Sequence, residues 1–209
     1  MNHVQLHSYP FPPGMVIPRL MPFQEYPWNN DPHIAAEVLR LKEAHGLRTA
    51  FETGTCLGST TYWLVENFDR VLSAEINEDF ASIAGGRLGH LKNVMLFVRP
   101  SVDILDMRTT FETGPRFYFL DAHWGDHCPL LDELYAIAEV KVKPCILIHD
   151  FQVPGTDFGF DSMPDGRPFN LELIAPHLNR IYGIGGYIVN YPTKVAGAKR
   201  GWLSVEPCL

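Results

Sequence analysis

The segment Phe51-Glu52-Thr53-Gly54-Thr55-Cys56-Leu57-Gly58-Ser59-Thr60-Thr61 decides the fold of this 209-residue chain. A short strand is predicted to end at Thr53, and a helix follows, so two glycines lie in the turn between them. Gly54 would let the backbone turn tightly beside a ligand, and Gly58 would open the N-terminus of the helix. The spacing is E-x-G-x-x-x-G, which differs from the G-x-G-x-x-G of dinucleotide-binding turns.

The acidic residue of this turn indicates the chemistry of a ligand. Glu52 lies near the end of the strand, where a carboxylate suits a ligand with an ammonium group better than one with a pyrophosphate. S-adenosylmethionine (SAM) carries such an ammonium on its methionine part. The simpler alternative is a strand-turn-helix junction that binds nothing, and the turn alone leaves both interpretations open.

A second acidic residue supports a nucleoside ligand. Glu75 ends the second predicted strand, 21 positions after Gly54. In α/β folds, an acidic side chain about 20 residues beyond the glycine turn accepts hydrogen bonds from ribose hydroxyls. Because SAM and NAD both contain a ribose, Glu75 does not separate the two. Taken alone, it is equally well explained as a solvated carboxylate at a strand end.

Strands and helices alternate along the chain on both sides of the turn. Seven strands are predicted, at 48–53, 71–75, 94–98, 117–121, 145–149, 187–190 and 201–205. Helices are predicted at 32–46, from the glycine turn to 66, and at 78–88, 102–111, 130–140 and 169–175, the last ending or kinking at Pro176. This alternation predicts an α/β, Rossmann-like, doubly wound sheet that is mostly parallel. Only about ten residues separate the last two strands, so these should form an antiparallel hairpin.

Composition restricts the class of protein and its surroundings. The formal net charge of −7 disfavours tight binding to nucleic acid or to an anionic membrane, since both reward clusters of Lys and Arg. The sequence has no apolar run of about 18 residues, and its N-terminus lacks the pattern of a signal peptide. The four cysteines form no CxxC pair, which argues against a zinc ribbon or a disulfide framework. We expect a cytoplasmic protein with reduced thiols.

The first 31 residues differ in composition from the rest. Prolines recur there together with aromatic residues such as Tyr9, Phe23 and Trp28. Proline at this density is incompatible with a helix or a central strand, and the many aromatic side chains argue against a free tail. We therefore expect residues 1–31 to form an arm that packs on the domain formed by residues 32–209, or on a partner subunit in a homo-oligomer.

Polar residues follow the fourth and fifth predicted strands. Asp121, His123 and His127 come at or after the end of the fourth strand, and His149 and Asp150 come at the end of the fifth. The carboxyl ends of parallel strands border the ligand crevice of an open α/β sheet, so the two aspartates should converge. Two such carboxylates would repel each other unless a cation lay between them. Mg²⁺ would use the aspartates, whereas histidine ligands would favour zinc, manganese or iron.

The same cluster could instead move a proton. A hydroxyl acceptor must lose its proton as a methyl group arrives, and a histidine is suited to take it near neutral pH. The three histidines of the cluster are the candidate bases. Trp124, Phe151 and the loop 156–167 are expected to overhang this edge, where aromatic rings and carboxylates suit a polar, ring-bearing acceptor such as a sugar. A solvated polar loop is the alternative.

Three elements resemble those of class I SAM-dependent methyltransferases. They are the turn Glu52-x-Gly54-x-x-x-Gly58, the strand 71–75 and the strand 117–121. Asp121-Ala122-His123, together with Ile148-His149-Asp150, makes the chain similar to the small-molecule O-methyltransferases of the macrocin and cephalosporin-biosynthesis type. Many members of that type use a divalent metal. The resemblance implies the strand order 3-2-1-4-5-7-6.

The resemblance also implies roles for individual residues. The residues that would bind SAM lie in the turn and at strand ends: Glu52, Gly54, Thr55, Gly58, Ser59, Thr60, Glu75, Ser101 and Asp121. The implied metal ligands are Asp121, His149 and Asp150. The implied catalytic residues are Asp121, His123, His127 and His149.

The resemblance implies that SAM is the cofactor, with Mg, Mn or Zn as a candidate second one, and that a small polar acceptor is O-methylated. The acceptor would be sugar-like or a natural product. Two other functions compete with this one. An NAD-linked oxidoreductase is disfavoured by the spacing of the turn and by Glu52. A non-catalytic SAM-binding protein is disfavoured because Gly54, Gly58, Glu75 and Asp121 are all present.

Overall fold

Seven strands form one sheet in the order β3-β2-β1-β4-β5-β7-β6. Their bounds are β1 Thr49–Thr53, β2 Arg70–Glu75, β3 Val94–Val98, β4 Arg116–Leu120, β5 Cys145–His149, β6 Tyr187–Asn190 and β7 Trp202–Pro207. Neighbouring strands from β3 to β5 pair in parallel, while β7 is antiparallel to both β5 and β6. The predicted fold class, strand order and terminal hairpin are confirmed.

The structure is a computed structural model that describes residues 26–106, 114–124 and 127–208. Most of the predicted N-terminal arm therefore lies outside the described residues, and its packing remains a prediction. The described end of the arm is a turn at Pro27–Asn30, in which Trp28 is buried. The Trp28 ring packs edge-on against Trp63 and Phe119, with ring centroids 5.1 and 4.8 Å away.

The register of the sheet aligns the strand ends that carry the predicted site. Thr53 of β1 pairs with Ala74 of β2 on one side and with Leu120 of β4 on the other. Leu120 pairs in turn with Ile148 of β5. Because these parallel strands finish level with one another, the residues that follow them share one edge of the sheet. We call this the carboxyl edge.

In the part of the chain that the structure describes, six α-helices pack on the two faces of the sheet. They are α1 Pro32–His45, α2 Ser59–Asn67, α3 Glu78–Leu88, α4 Ser101–Asp106, α5 Leu130–Ile137 and α6 Leu171–Tyr182. Helix α1 begins and ends as predicted: the Asp31 side chain accepts a hydrogen bond from the His33 N–H, and Gly46 ends the helix at a φ of 61°. The predicted extension of α4 beyond residue 106 falls on residues 107–111, outside the described ranges. In the described ranges no helix is long and apolar enough to cross a membrane.

Alternating side chains of the central strands divide the core into two layers. Phe117 and Phe119 of β4 pack in the layer that contains Ile34 of α1. Tyr118 and Leu120, between and beyond them, pack in the opposite layer with residues of α5 and α6. A strand that is buried on both faces reads as a continuous apolar run, which is why β4 was recognisable in the sequence.

The predicted end of the last helix at Pro176 is wrong, because α6 continues through it to Tyr182. Asn170 caps the helix by accepting a hydrogen bond from the Leu173 N–H. Ile174, Leu178 and Tyr182 then recur on one buried face. A proline inside a helix costs about 3 kcal/mol. Burying large apolar side chains contributes about 1.5–3 kcal/mol each, which is enough to hold the helix together beyond the proline.

Candidate active site

The turn between β1 and α2 is built around a buried carboxylate. Glu52 is fully buried, and its Oε2 accepts hydrogen bonds from the hydroxyls of Thr61, at 2.5 Å, and Ser73, at 2.6 Å. The Thr55 hydroxyl lies 2.5 Å from the Ser73 hydroxyl and donates to it, since the Ser73 proton is engaged with Glu52. One carboxylate thus joins β1 to the first turn of α2 and to β2.

The second oxygen of Glu52 is a buried polar atom without a partner. Among the described residues, nothing hydrogen-bonds to Oε1. Burial raises the pKa of Glu52 to about 8, although the hydrogen bonds from Ser73 and Thr61 lower it. A positively charged ligand group beside this carboxyl would favour its ionised form. The unmatched oxygen therefore fits the ammonium-bearing ligand that the sequence of the turn suggests.

Glu75 holds the middle of the same turn through backbone groups. Its Oε2 accepts the Cys56 N–H at 2.7 Å, and its Oε1 accepts the Asn77 N–H at 2.9 Å. Cys56 has a φ of 48°, in the left-handed region, and the Glu75 bond helps to hold it there. Each carboxylate oxygen has a second lone pair, so contact with a ribose remains open to Glu75. Its predicted role toward ribose stays a prediction.

The two glycines of the turn meet different neighbours. Gly54 has a φ of 83°, and a Cβ added there would lie 2.6 Å from the backbone oxygen of Asp121. Gly58 has a φ of 78°, and its Cβ would lie 2.8 Å from Cδ1 of Leu88 on α3. Only glycine fits either position. Gly54 brings the turn against the end of β4, while Gly58 brings the start of α2 against α3.

The hydroxyls at the start of α2 contact other parts of the protein. The Ser59 hydroxyl accepts a hydrogen bond from Arg87 Nη1 at 3.3 Å. The Thr60 hydroxyl accepts a hydrogen bond from the backbone N–H of Trp28 at 2.9 Å. The hydrogen bond to Thr60 therefore connects the described end of the N-terminal arm with α2. Contact of Ser59 or Thr60 with SAM stays a prediction.

Ser101, expected near adenine, faces a buried acid that sequence reasoning missed. Its hydroxyl donates to Oε1 of Glu133 at 2.5 Å. Burial raises the pKa of Glu133 to about 7, with hydrogen bonds from Ser101 and Thr53 acting in the opposite direction. Glu133 sits on α5 between Leu130 and Leu134, both buried. An acidic residue inside the apolar stripe of a helix was the signal that could have found it.

Four residues of the second predicted cluster converge beside the turn. Nδ1 of His149 lies 3.2 Å from Oδ1 of Asp121 and 3.4 Å from Oδ2 of Asp150. Nε2 of His123 lies 3.0 Å from the same Asp150 oxygen and 3.8 Å from Asp121. The convergence of the two aspartates across the ends of β4 and β5 was expected from the sequence, and the structure shows it.

A guanidinium and a third carboxylate complete the cluster: Asp161 belongs to the loop 156–167 that was expected at this edge, whereas Arg200 was missed by sequence reasoning. Arg200 donates from Nε to Oδ1 of Asp150 and from Nη2 to Oδ1 of Asp161. The backbone N–H of Asp161 also donates to the Asp150 carbonyl at 2.8 Å. Arg200 stands two residues before β7, and Trp202 of β7 pairs with His149 of β5. The predicted hairpin was the available signal, because the start of an antiparallel β7 lies beside the end of β5.

The histidines and aspartates of this cluster shift one another's pKa values. Burial lowers the pKa of His149, but the Asp150 and Asp121 carboxylates outweigh it and raise that pKa well above its usual value. The pKa of His123 is raised in the same way by Asp150 and Asp121, against burial. Burial would favour neutral Asp150, yet His149 and His123 hold its pKa far below the usual range. These shifts favour the protonated forms of the two histidines and the ionised form of Asp150.

The remaining predicted residues of this region lie elsewhere. His127 is exposed, and its backbone pairs with Trp124 through hydrogen bonds of 2.9 and 3.1 Å. In the described ranges no contact joins the His127 side chain to the Asp121 cluster. Trp124 is 80% exposed, and its position over the edge stays a prediction. Phe151 does not overhang it: the side chain is fully buried against the core, so that expectation is wrong.

The cluster fits poorly the divalent metal that the resemblance implies. Donor atoms of Asp121, His123 and Asp150 lie within 4.8 Å of one another, a spacing that a metal could use. Both oxygens of Asp150, however, are already in contact with basic side chains, those of Arg200, His123 and His149. Mg²⁺ prefers a set of oxygen ligands that are free to bind it. We therefore derive no catalytic step from a metal.

Comparison with known proteins agrees with this fold. No protein-family model matches the sequence, and no curated protein matches it. A proposed O-methyltransferase from Klebsiella pneumoniae is 16% identical, with a TM-score of 0.58 over 94% of this chain and 83% of that one. An rRNA methylase from Streptococcus thermophilus is 14% identical, with a TM-score of 0.53 over 84% and 96% of the two chains.

A third structure, the N-terminal domain of EvdMO1 in the presence of SAH and D-fucose, is 16% identical, with a TM-score of 0.54 over 84% and 82% of the two chains. These are likenesses of fold at low sequence identity. Together with the strand order, they show that the chain has the fold of class I SAM-dependent methyltransferases. The resemblance inferred from the sequence is confirmed at that level. Because the neighbours include an rRNA methylase, the fold by itself does not select an acceptor.

Proposed function

We propose that this protein transfers the methyl group of SAM to a hydroxyl of a small polar acceptor, sugar-like or a natural product. One observation carries the proposal: the glycine turn and the Asp121 cluster abut, since a single Cβ at Gly54 would strike the Asp121 backbone. A ligand cradled by the turn would therefore present its far end to the cluster.

Residues of the turn provide what SAM requires. Glu52, with its unpartnered Oε1, would lie toward the ammonium group, and Glu75 would accept hydrogen bonds from the ribose. Ser101 and its partner Glu133 would border the adenine. Gly54 lets the backbone of the turn pack directly against the residues that follow β4. When bound, SAM supplies a methyl carbon activated by a sulfonium, whose sulfur keeps the electron pair of the breaking C–S bond.

Asp121 is the group best placed to receive the acceptor's proton. Its side chain is 23% exposed, whereas the side chains of His149 and His123 are 2% and 6% exposed. A hydroxyl oxygen becomes strongly acidic as its new C–O bond forms, so a carboxylate is a sufficient base. His149 and His123 would act as positioning residues that hold Asp121 and Asp150 in place. Phe160, 39% exposed on the loop 156–167, and Trp124 would border the acceptor.

Calorimetric titration with SAM, SAH and NAD tests the cofactor. We expect SAM and SAH to bind with micromolar Kd and NAD to give no signal. Binding of NAD without SAM would favour the oxidoreductase. If SAM binds, incubation with methyl-labelled SAM and a panel of sugars and hydroxylated natural products follows. Binding of SAM without transfer to any hydroxyl would leave the non-catalytic SAM-binding protein as the better description.

A further inference from the structure

Three carboxylates of the Asp121 cluster meet at one edge of the sheet, and their charges need compensation. Asp121 and Asp150 share His149 as a neighbour, and Asp161 is joined to Asp150 through Arg200. Carboxylates this close repel one another, and one of them takes up a proton unless a cation is present. A divalent metal is one solution. The structure contains another.

Arg200 reaches two of the carboxylates with different nitrogens of one guanidinium. Nε contacts Asp150, and Nη2 contacts Asp161. A guanidinium is always charged and presents its donors in a rigid, planar fork, so it can join two carboxylates much as an ion would. Two histidines also contact Asp150, Nε2 of His123 at 3.0 Å and Nδ1 of His149 at 3.4 Å. Of the described residues, three basic side chains then face three carboxylates.

The backbone around Arg200 fixes it in this position. The Gly159 N–H donates to the Lys199 carbonyl at 3.0 Å, and the Gly201 N–H donates to the Gly159 carbonyl at 2.8 Å. A Cβ at Gly159 would lie 3.0 Å from Cδ of Arg200, so the loop leaves room for the side chain. At Gly201, a Cβ would lie 2.3 Å from the Phe151 carbonyl. A side chain at Gly201 would therefore strike backbone, and one at Gly159 would press on the Arg200 side chain.

We propose that Arg200 takes the place of the divalent cation at this site, so that the protein binds no divalent metal there and works without one. The expected effect of Arg200 on catalysis rests on the proposed function, whereas its expected effect on metal binding does not. Arg200 is a positioning residue: it neutralises Asp150 and Asp161 and leaves Asp121, which it does not contact, to face the acceptor. Without Arg200, Oδ1 of Asp150 would lose its basic partner, and a metal held within the 4.8 Å grouping of Asp121, His123 and Asp150 would displace the ring proton of His123.

Metal binding to the untagged full chain, stripped with a chelator, tests the proposal directly. We expect neither Mn²⁺ nor Mg²⁺ to give saturable binding to the wild type by calorimetry or to raise its Tm. R200M should gain one Mn²⁺ site. At about 100 times Kd, the metal should raise the Tm of this variant by roughly 5–10 °C. The double variant R200M/D150N should lose the gain. R48M is the matched control, since Arg48 pairs with exposed Asp69 away from the site.

Two results would overturn the proposal. One is stoichiometric Mn²⁺ binding by the wild type that D121N abolishes. The other is a folded R200M that gains no metal site. If R200M does not fold, the wild-type and D121N titrations still decide. SAM affinity is measured in the same samples, so failure of the proposed function would appear as absent SAM binding. Where methyl transfer is detected, it should be unchanged in the chelated wild type.

Discussion

The carboxyl edge of the sheet has two halves that treat carboxylates in opposite ways. Beside the glycine turn, Glu52 and Glu75 accept hydrogen bonds from hydroxyls and backbone N–H groups. In the described ranges neither contacts a basic side chain. Beyond β4, Asp121 contacts His149, and Asp150 contacts His123 and Arg200.

This difference suits the two halves to different roles, one in binding a charged ligand and the other in moving a proton. The turn half contains two carboxyl groups that face no basic side chain among the described residues, and a ligand that brings a positive charge would favour the ionised form of Glu52. The cluster half is already compensated by its own basic side chains, so it has no need of a charged partner. Such a half suits a neutral acceptor and the movement of one proton. Variants that change one half should therefore leave the function of the other largely intact.

The largest effect is expected when Asp121 loses its charge. D121N keeps the shape of the side chain but removes the proposed base, so kcat should fall about 10²–10⁴-fold while SAM affinity stays near wild type. The measurements are steady-state kinetics and calorimetry on the same preparation. D69N is the matched control, because Asp69 is exposed and pairs with Arg48 at 2.5 Å. A D121N enzyme with wild-type kcat would remove Asp121 from the chemistry.

The contact between the two halves should be the next most sensitive feature. G54A combines left-handed strain with a clash against the Asp121 carbonyl, at a summed cost of about 2–5 kcal/mol of unfolding free energy. It should also abolish detectable SAM binding. G46A is the control, because Gly46 has a φ of 61° but open space around its Cβ position. In that variant only the backbone strain should lower the free energy of unfolding, by about 1–2 kcal/mol, and SAM should bind normally. Equal effects of both variants in denaturant unfolding would show that the clash is unimportant.

Glu75 tests the turn half alone. E75A removes hydrogen bonds to the backbone of Cys56 and the bonds proposed for the ribose, so SAM binding should weaken by about 1–3 kcal/mol. Calorimetry with SAH measures the loss. Transfer chemistry at saturating SAM should change much less, because the cluster is untouched. A fall in kcat as large as that of D121N would mean that the two halves are not separable.

The sequence predicted the parts of the site that follow from regular geometry. Asp121 and Asp150 were found because parallel strands in register bring their ends to one edge. Arg200 was missed because it reaches Asp150 from 50 positions further along the chain, through a loop whose path the pattern does not show. Glu133 was missed because acids on helices are usually exposed. The continuation of α6 beyond Pro176 depends on tertiary burial, which local propensity does not contain.

The last effect concerns the pH dependence of stability. Burial raises the pKa of folded Glu52 to about 8, above its ordinary value of 4.5. The folded state therefore holds a proton that the unfolded chain has lost, and stability falls as pH rises between these values, by at most about 1.4 kcal/mol per pH unit. Above pH 8 the loss is complete. E52Q cannot titrate, so its slope between pH 6 and 8 in urea unfolding should be shallower than that of the wild type, while Glu133, His123 and His149 keep their contributions of the same sign.

Glu206 provides the control with the opposite sign. Hydrogen bonds from Arg40 and His45 outweigh burial and lower its pKa to about 2. Its contribution to stability is present above pH 4.5 and is lost only as pH falls toward 2, so E206Q should retain the wild-type slope between pH 6 and 8. If E52Q and wild type show the same slope there, Glu52 is ionised in the free protein. In that case the turn half would hold a full negative charge before any ligand arrives.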